Sequence, residues 1–455
     1  MACPAHHRLH PSSLALSGAL LLAAGCAGAG DSSAKAAVAD SAGRQVAGSA
    51  SCPGDNGAIT LPRGFCATVF ADSVGGARKI AVATNGDVFV QLIAQRQVSE
   101  SGTSPKGGIL ALRDANHDGK ADSSVRFGDI GGTGIALHGG WLYADDKSRI
   151  VRYPLPSGSL TPSGSAETVV SGLPTGGHSS RDIAIDSSGS ALYVNVGSRT
   201  NSCQQKDRQL ESAGNDPCTE LDTRAGLWRF DAGKIGQTFA PSARFATGIR
   251  NGMGITINPV DGKAYSTQHG RDQLFQNWPK LYDAVRSAEN PAEEFMQVNK
   301  GDDFGWPYCY FDVGVKKLLL APEYGGDGVK DGRCSAKKPP LVWFPGHWAP
   351  MSSVFYTGSQ FPARYRGGVF IAFHGSWNRA PQPQAGYRVV FVPFSNGSAA
   401  GAYETFADGF AGGEPQPQTA KHRPTGLAVS PDGSLFITDD SGGRIWRVTY
   451  AGGAR

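Results

Sequence analysis

No concentration of basic residues is present. The 43 Lys and Arg against 39 Asp and Glu leave a formal net charge of only +4 over 455 residues, and the cations are scattered. A chain without a basic stripe lacks the electrostatic footprint needed to neutralise a phosphate backbone, which argues against nucleic-acid binding. No C-x-x-C-H occurs, so covalent haem attachment is excluded, and no cysteine spacing suits zinc. The N-terminal apolar run, residues 14–24, is too short to be a stable membrane span. Beyond residue 52 no shift in composition marks a second domain.

What the first 52 residues do contain is an export signal. His6, His7, Arg8 and His10 precede the apolar run, which ends in A-A-G-C. Residues 1–26 therefore read as a secretory signal. The ending resembles a bacterial lipobox, with Ala23 where Leu is commonest, and makes Cys26 the expected lipid attachment point. An ordinary signal peptide cleaved nearby is the alternative. Residues 27–51, rich in Ala, Gly and Ser, have too little apolar bulk to fold and form a tether. Six cysteines follow as near neighbours: Cys52 with Cys66, Cys203 with Cys218 and Cys309 with Cys334. Fifteen pairings exist in principle; local pairing is the simplest and contributes ~3 kcal/mol per loop.

The 62 glycines are about twice the usual share of roughly 7% and fall mainly in turns. They punctuate a repeat. IAVATNGDVFV from Ile80, IALHGGWLYA from Ile135, IAIDSSGSALYV from Ile183, ITINPVDGKAYST from Ile255 and LAVSPDGSLFIT from Leu427 each place a Gly turn between two alternating runs. A looser copy starts at Ser353. Such hairpins recurring at intervals of tens of residues predict an all-β chain, a six-bladed β-propeller over residues 52–455 with loop insertions on its active face.

In a propeller the first strand of each blade is innermost, and the residues before it lie at one mouth of the central channel. Five positions before the first apolar residue stand His178, Arg250 and His422 in the third, fourth and sixth copies, the last within K-H-R, Lys421 to Arg423. Imidazole takes a proton near neutral pH, and Arg supplies fixed positive charge for an oxyanion or carboxylate. The convergence predicts a pocket for something anionic. Between the fourth and fifth copies, an insertion carries Q-H-G-R-D, P-A-E-E-F and G-D-D-F-G-W-P-Y-C-Y, and the fifth adds G-H-W-A-P and H-G-S-W-N-R. Trp343, Trp348 and Trp377 are candidates either for stacking on a planar cofactor or for packing between blades. Separately, Asp114, Asn116, Asp118, the Lys120 carbonyl and Asp122 have the oxygen spacing of a calcium loop, but Val125 stands where the bidentate Glu belongs. A structural calcium and a plain Asx-rich turn are the two readings.

These residues together resemble the pyrroloquinoline-quinone (PQQ)-dependent soluble sugar dehydrogenases, in the L-sorbosone and pyranose dehydrogenase-like branch. The likeness runs from about Leu61 to Val448 and rests on G-H-S-S-R-D-I-A-I-D, R-N-G-M-G, Q-H-G-R-D, D-F-G-W-P-Y-C-Y, H-G-S-W-N-R and R-P-T-G-L-A-V-S-P-D-G. It implies that His178 is the general base and that the substrate carbon passes a hydride to the quinone. Arg250 and Asn251 would hold and polarise the cofactor, with Arg250 stabilising developing charge. The backbone carbonyls of Gly270 and Arg271 would bind a catalytic calcium. Lys421, Arg423 and Asp439, with Arg379 on looser grounds, match positions around the cofactor carboxylates.

Three departures bear on substrate. Where the glucose-oxidising branch has Asp, Pro and Gln, this chain has Gly177, Arg271 and Met253. Glucose specificity is therefore not implied. The expectation is an exported, lipid-anchored enzyme of the bacterial envelope or periplasm. It would oxidise an aldose, pyranose or sorbosone-like sugar and deliver electrons to a partner such as a cytochrome or quinone. The alternatives are a calcium-dependent hydrolase propeller of the lactonase kind and a non-catalytic ligand-binding propeller.

Overall fold

Each of the six repeats forms the two inner strands of an antiparallel blade. The computed structural model describes Cys52 and residues 54–93, 107–129 and 131–452. The signal segment 1–26 with Cys26 and the tether 27–51 lie outside the described residues. Blade 1 is Gly76–Val82, Val88–Ile93, Gly108–Arg113 and Ser123–Phe127; blade 2 runs from Ile135–His138 to Glu167–Ser171; blade 3 runs from Ile183–Ile185 to Arg244–Thr247. Blade 4 runs from Gly252–Ile257 to Val342–Phe344, and blade 5 from Pro350–Phe355 to Glu404–Ala407. Blade 6 takes its inner three strands from Pro424–Val429, Leu435–Asp439 and Ile445–Tyr450 and its outer strand from the N-terminal side, Phe65–Ala71, paired antiparallel to Ile445–Tyr450. That pairing closes the ring.

Both faces of the inner strands are buried, which is why the strongest repeats read as nearly continuous apolar runs. Along Val369–Phe373, Phe370 and Ala372 pack toward blade 6, while Val369, Ile371 and Phe373 pack toward blade 4. In blade 3, Leu192, Val194 and Val196 face blade 2, and Ala191 and Tyr193 face blade 4. The six largest apolar clusters fill the six blade interfaces, so each blade buries its apolar faces against its two neighbours. Turn glycines allow the hairpins: Gly86 and Gly433 have φ of 91° and 87°, and a Cβ at Gly433 would stand 2.8 Å from the Gln360 Cβ.

The long insertion belongs within blade 4 rather than between blades. P-A-E-E-F supplies its third strand, Glu293–Val298. Two short helices, Leu274–Asn277 and Ala284–Glu289, precede that strand, and the hairpin Cys309–Asp312 and Lys317–Leu320 follows it. All three local disulfides form: Cys52–Cys66 clips the chain to the ring-closing strand, Cys203–Cys218 braces an excursion of blade 3, and Cys309–Cys334 braces that of blade 4.

Candidate active site

His178 enters from the loop before the innermost strand of blade 3. Its Nδ1 lies 2.9 Å from Ser198 Oγ and 3.1 Å from the Ser198 carbonyl oxygen. Ser198 Oγ donates its own proton to the Thr200 carbonyl at 2.7 Å. Neither Ser198 oxygen can therefore donate to the ring, and Nδ1 must carry the hydrogen. The neutral tautomer is thereby set, with the Nε2 lone pair available as a base. Burial, then the charge of Arg250, pushes His178 down to about 3. The free imidazole is neutral at any ordinary pH.

Arg250 is buried and almost fully engaged. Nε donates to the Asn201 carbonyl at 3.0 Å, Nη2 to Asn201 Oδ1 at 2.9 Å and Asp272 Oδ2 at 3.1 Å, and Nη1 to the Gly270 carbonyl at 2.8 Å. One N–H on Nη1 is left over. Asn251 is oriented by His269. The imidazole Nε2 lies 2.8 Å from the Pro350 carbonyl, where only a donor fits, so Nδ1 accepts from Asn251 Nδ2 at 3.3 Å. The Asn251 carboxamide oxygen is consequently the free end, and it is buried without a partner. A buried acceptor without a donor costs about 1–3 kcal/mol, which a bound hydroxyl or cation would relieve.

Asp272, the last residue of Q-H-G-R-D, ties the site together, a role the motif did not reveal. Its carboxylate accepts from Arg250, from Arg208 at 3.0 Å and from Asn378 Nδ2 at 3.0 Å, and lies 3.8 Å from His347 Nδ1. Against burial, the guanidinium groups of Arg250 and Arg208 hold it well below the usual carboxylate range. The carbonyl of Arg271 accepts no hydrogen bond among the described residues, while its guanidinium turns away to pair with buried Glu323. Beneath them Glu293, which accepts from the Gly270 and Ala349 N–H groups, is pushed by burial up to about 8 and is protonated near neutral pH.

On the far side of the mouth Arg423 donates to the His374 and Gly375 carbonyls at 3.0 and 2.8 Å. His374 Nε2 and Arg78 flank the carboxylate of Asp440, His374 at 2.8 Å. Asp440, rather than Asp439, is the acid facing this wing. Asp439 is wholly buried and accepts from His422 Nδ1 and from the backbone N–H groups of Arg423, Ser441 and Gly442, so it shapes the loop. Arg379 is likewise structural in placement: its nitrogens donate to the Ala288, Gly346 and Pro383 carbonyls and to Glu289, binding the loops of blades 4 and 5. Lys421 is exposed. Arg78, Arg208, Arg250 and Arg423 thus outnumber the carboxylates of Asp272 and Asp440 with which they pair or interact.

The side-chain oxygens of Asp114, Asn116, Asp118 and Asp122 accept from N–H groups of their own loop, as in an Asx-rich turn. Gly177 has φ of 62°, and a Cβ there would stand 2.5 Å from the Arg199 backbone. An Asp in its place would need a different course of the chain. Met253 is fully buried, and Trp348 packs between blades.

A family model described as TrAA12-like matches residues 59–451. A PQQ-dependent pyranose dehydrogenase of Coprinopsis cinerea is 27% identical over 63% of this chain and 41% of its own length. A PQQ-dependent sugar dehydrogenase of Hypocrea jecorina is 24% identical over 75% of this chain and 77% of its own. The chain spans less than two thirds of the first curated relatives it matches, 61% of one and 41% of another. Among solved structures, the holo form of the Coprinopsis cinerea pyranose dehydrogenase PQQ domain superposes with a TM-score of 0.68 at 22% identity, over 88% of this chain and 99% of that one.

Proposed function

The chain belongs to the TrAA12-like family, and from that premise we propose that it is a PQQ- and calcium-dependent dehydrogenase of a sugar, an aldose, pyranose or sorbosone-like compound. The carrying observation is a His178 whose tautomer is set by Ser198 standing close enough to the buried guanidinium of Arg250 to feel its charge. The names of the Coprinopsis and Hypocrea relatives support the same reading. PQQ, when bound, supplies a planar tricarboxylate that accepts two electrons and the substrate C–H hydrogen. The residues present suit it. Arg250 keeps one N–H for the quinone, Arg423 and Lys421 offer charge to carboxylates, and the unpartnered Asn251 oxygen and the Gly270 and Arg271 carbonyls are neutral oxygen donors suited to a calcium ion.

In this reading His178 Nε2 takes the hydroxyl proton as the carbonyl of the product forms. Arg250, held by Asn201 and Asp272, stays in place for charge arising in the transition state without reorganising. The disulfides suit an exported protein, lipid-anchored at Cys26 in the bacterial envelope, passing electrons to a cytochrome or quinone. The test is reconstitution with PQQ and calcium, followed by dye reduction across aldoses, pyranoses and sorbosone with a chelator control. Sugar-dependent reduction abolished by the chelator is expected. No reduction with any sugar and no change in the quinone spectrum would reject the reading.

A further inference from the structure

His178 stands against a second stretch of chain, the residues that follow the strand Ala191–Val196. A Cβ at Gly197 would lie 2.7 Å from the His178 Cβ, and one at Gly177 would lie 2.5 Å from the Arg199 backbone. Ser198 joins the base to its neighbour in the site: its N–H donates to the Arg250 carbonyl at 2.7 Å, and its carbonyl accepts the His178 backbone N–H at 2.9 Å. The turn from Ser198 to Thr200 therefore fixes where the imidazole stands. Such a turn, outside any strand, needs partners of its own.

One carboxylate supplies them. Glu220, in the short helical turn Thr219–Asp222, accepts from the Arg199 N–H at 2.6 Å, from the Thr200 N–H at 3.2 Å and from the Thr200 hydroxyl. Buried Arg224 reaches the other way, donating from Nη1 to the Gly176 carbonyl at 3.1 Å and from Nη2 to the Thr175 carbonyl, in the loop that leads into His178. The Arg224 N–H itself donates to the Glu220 carbonyl at 2.8 Å, so both side chains leave one turn. The Cys203–Cys218 disulfide and the Tyr308 hydroxyl, which accepts from the Cys218 N–H at 2.9 Å, anchor its start. Glu220 grips the chain on one side of His178, and Arg224 grips it on the other.

The Ser198 hydroxyl has two acceptors within reach, the Thr200 carbonyl that it uses at 2.7 Å and His178 Nδ1 at 2.9 Å. While Glu220 keeps Thr200 in place, the hydroxyl proton stays on that carbonyl and Nδ1 keeps its own hydrogen. Were Thr200 to withdraw, the hydroxyl would be free to donate to Nδ1, which moves the imidazole hydrogen to Nε2 and abolishes the basic lone pair there. We propose that Glu220 and Arg224 are positioning residues for His178, with Glu220 holding the imidazole in its reactive tautomer through Thr200 and Ser198. The use made of that lone pair rests on the dehydrogenase reading; the tautomer does not.

The test uses the full-length protein, first without quinone. Long-range proton–nitrogen correlation spectra separate a protonated imidazole nitrogen from a bare one, and His178→Gln identifies the His178 signals. Wild type should show a protonated Nδ1 and a bare Nε2. In Glu220→Ala both nitrogens should move toward the average of the two tautomers, whereas Glu220→Gln, whose carboxamide oxygen can still accept both N–H groups, should stay near wild type. Adding Ser198→Ala to Glu220→Ala should restore the wild-type pattern, because the remaining neighbour of Nδ1 is then a carbonyl. After reconstitution with PQQ and calcium, Glu220→Ala and Arg224→Met should each lower kcat by roughly ten- to thirtyfold, with KM and bound quinone within about twofold; Glu220→Gln should lose no more than about threefold. Arg224→Met leaves the carboxylate in place and so tests the other grip on its own. The variant carrying both Glu220→Ala and Arg224→Met should lose less than the product of the two single losses, since both act on one side chain.

A lower melting temperature in Glu220→Ala, with tautomer and kcat as in wild type, would overturn the proposal and make Glu220 a brace of the fold. So would equal losses in Glu220→Gln and Glu220→Ala, or mixed tautomers that persist once Ser198 is replaced. A tautomer that depends on Glu220 in a protein reducing no dye with any sugar would sink the dehydrogenase reading and leave the clamp standing.

Discussion

The centre of the channel and its mouth are built from neighbouring slots of the same repeat, yet they treat polar groups in opposite ways. One residue before the anchor of each repeat stand Lys79, Gly134, Asp182, Gly254, Ser352 and Gly426, in order around the ring. Three side chains alternate with three glycines. Lys79 Nζ reaches Asp182 Oδ2 at 2.8 Å and Ser352 Oγ at 3.3 Å, while Asp182 also accepts from the Ile255 and Ile183 N–H groups and Ser352 from that of Leu427. Five blades meet in this one network, and blade 2 joins through Thr133 and Arg181. A side chain in place of Gly254 or Gly426 would crowd it: a Cβ at Gly426 would stand 2.7 Å from Thr438 Oγ1. At the mouth, His178, four positions before Asp182, offers a lone pair, and Asn251 and Asn378 leave buried oxygens unpaired. A saturated network holds a ring shut, and an unsaturated one waits for a ligand.

The largest effect that separates the two regions should come from His178→Ala. It removes the base from the mouth and touches nothing in the plug, so turnover should fall by ~10²–10⁴ with the unfolding midpoint unchanged. Undiminished sugar oxidation by that variant would end the assignment of His178. In the plug the pattern should invert. Asp182→Leu leaves the Lys79 ammonium buried and unpaired, and stability should fall by about 3–5 kcal/mol, measured by urea unfolding, while the folded fraction keeps its turnover. The double variant Lys79→Met with Asp182→Leu should recover most of that loss, since two apolar side chains need no partner. If the double variant stays as unstable as the single one, volume rather than charge pairing governs the centre.

How legible these regions were in the sequence follows from the range of the interactions involved. The hairpins are local: alternation and a positive-φ glycine such as Gly433 suffice, and all six lie where the pattern predicts. His178, Arg250 and the Lys421 to Arg423 group were singled out because a repeat makes positions comparable; the structure brings His178 near Arg250, while His422 is tied to Asp439 and Lys421 is exposed. The plug was equally accessible to that comparison, one residue before the anchor, but Lys, Asp and Ser interspersed with Gly carry no motif until their side chains meet across an axis. Ring closure by Phe65–Ala71 depends on a partner strand at the opposite end of the chain, for which no local signal exists. Arg379 and Asp439 lie in loops whose sequence fits cofactor contact, yet burial gives both structural partners. Asp272 was passed over for the opposite reason. Its importance comes from four groups contributed by four separate loops.

The smallest expected effect, and the one that probes the mouth most directly, is the dependence of stability on pH. His178 is lowered from its usual value near 6.5 to about 3 because burial and Arg250 disfavour the imidazolium. Above pH 6.5 it is neutral in both folded and unfolded chains and contributes no slope. Between 6.5 and 3 the unfolded chain takes up a proton that the folded one refuses, so stability is lost as pH falls. His178→Gln retains an N–H donor toward Ser198 and does not titrate. The unfolding free energy of wild type minus that of the Gln variant should therefore fall by about 1.4 kcal/mol per pH unit below 6.5, or about 2 kcal/mol by pH 5. The imidazole carbon-bound protons should show no titration down to about pH 4 in the quinone-free protein. Binding an anionic occupant offsets the Arg250 charge and should lift the His178 titration toward neutrality, which brings the base closer to the strength a proton transfer near neutral pH requires. A difference curve flat from pH 7 to 5 would mean that the imidazolium is tolerated in the empty mouth, and the contrast with the sealed centre would then lose its electrostatic basis.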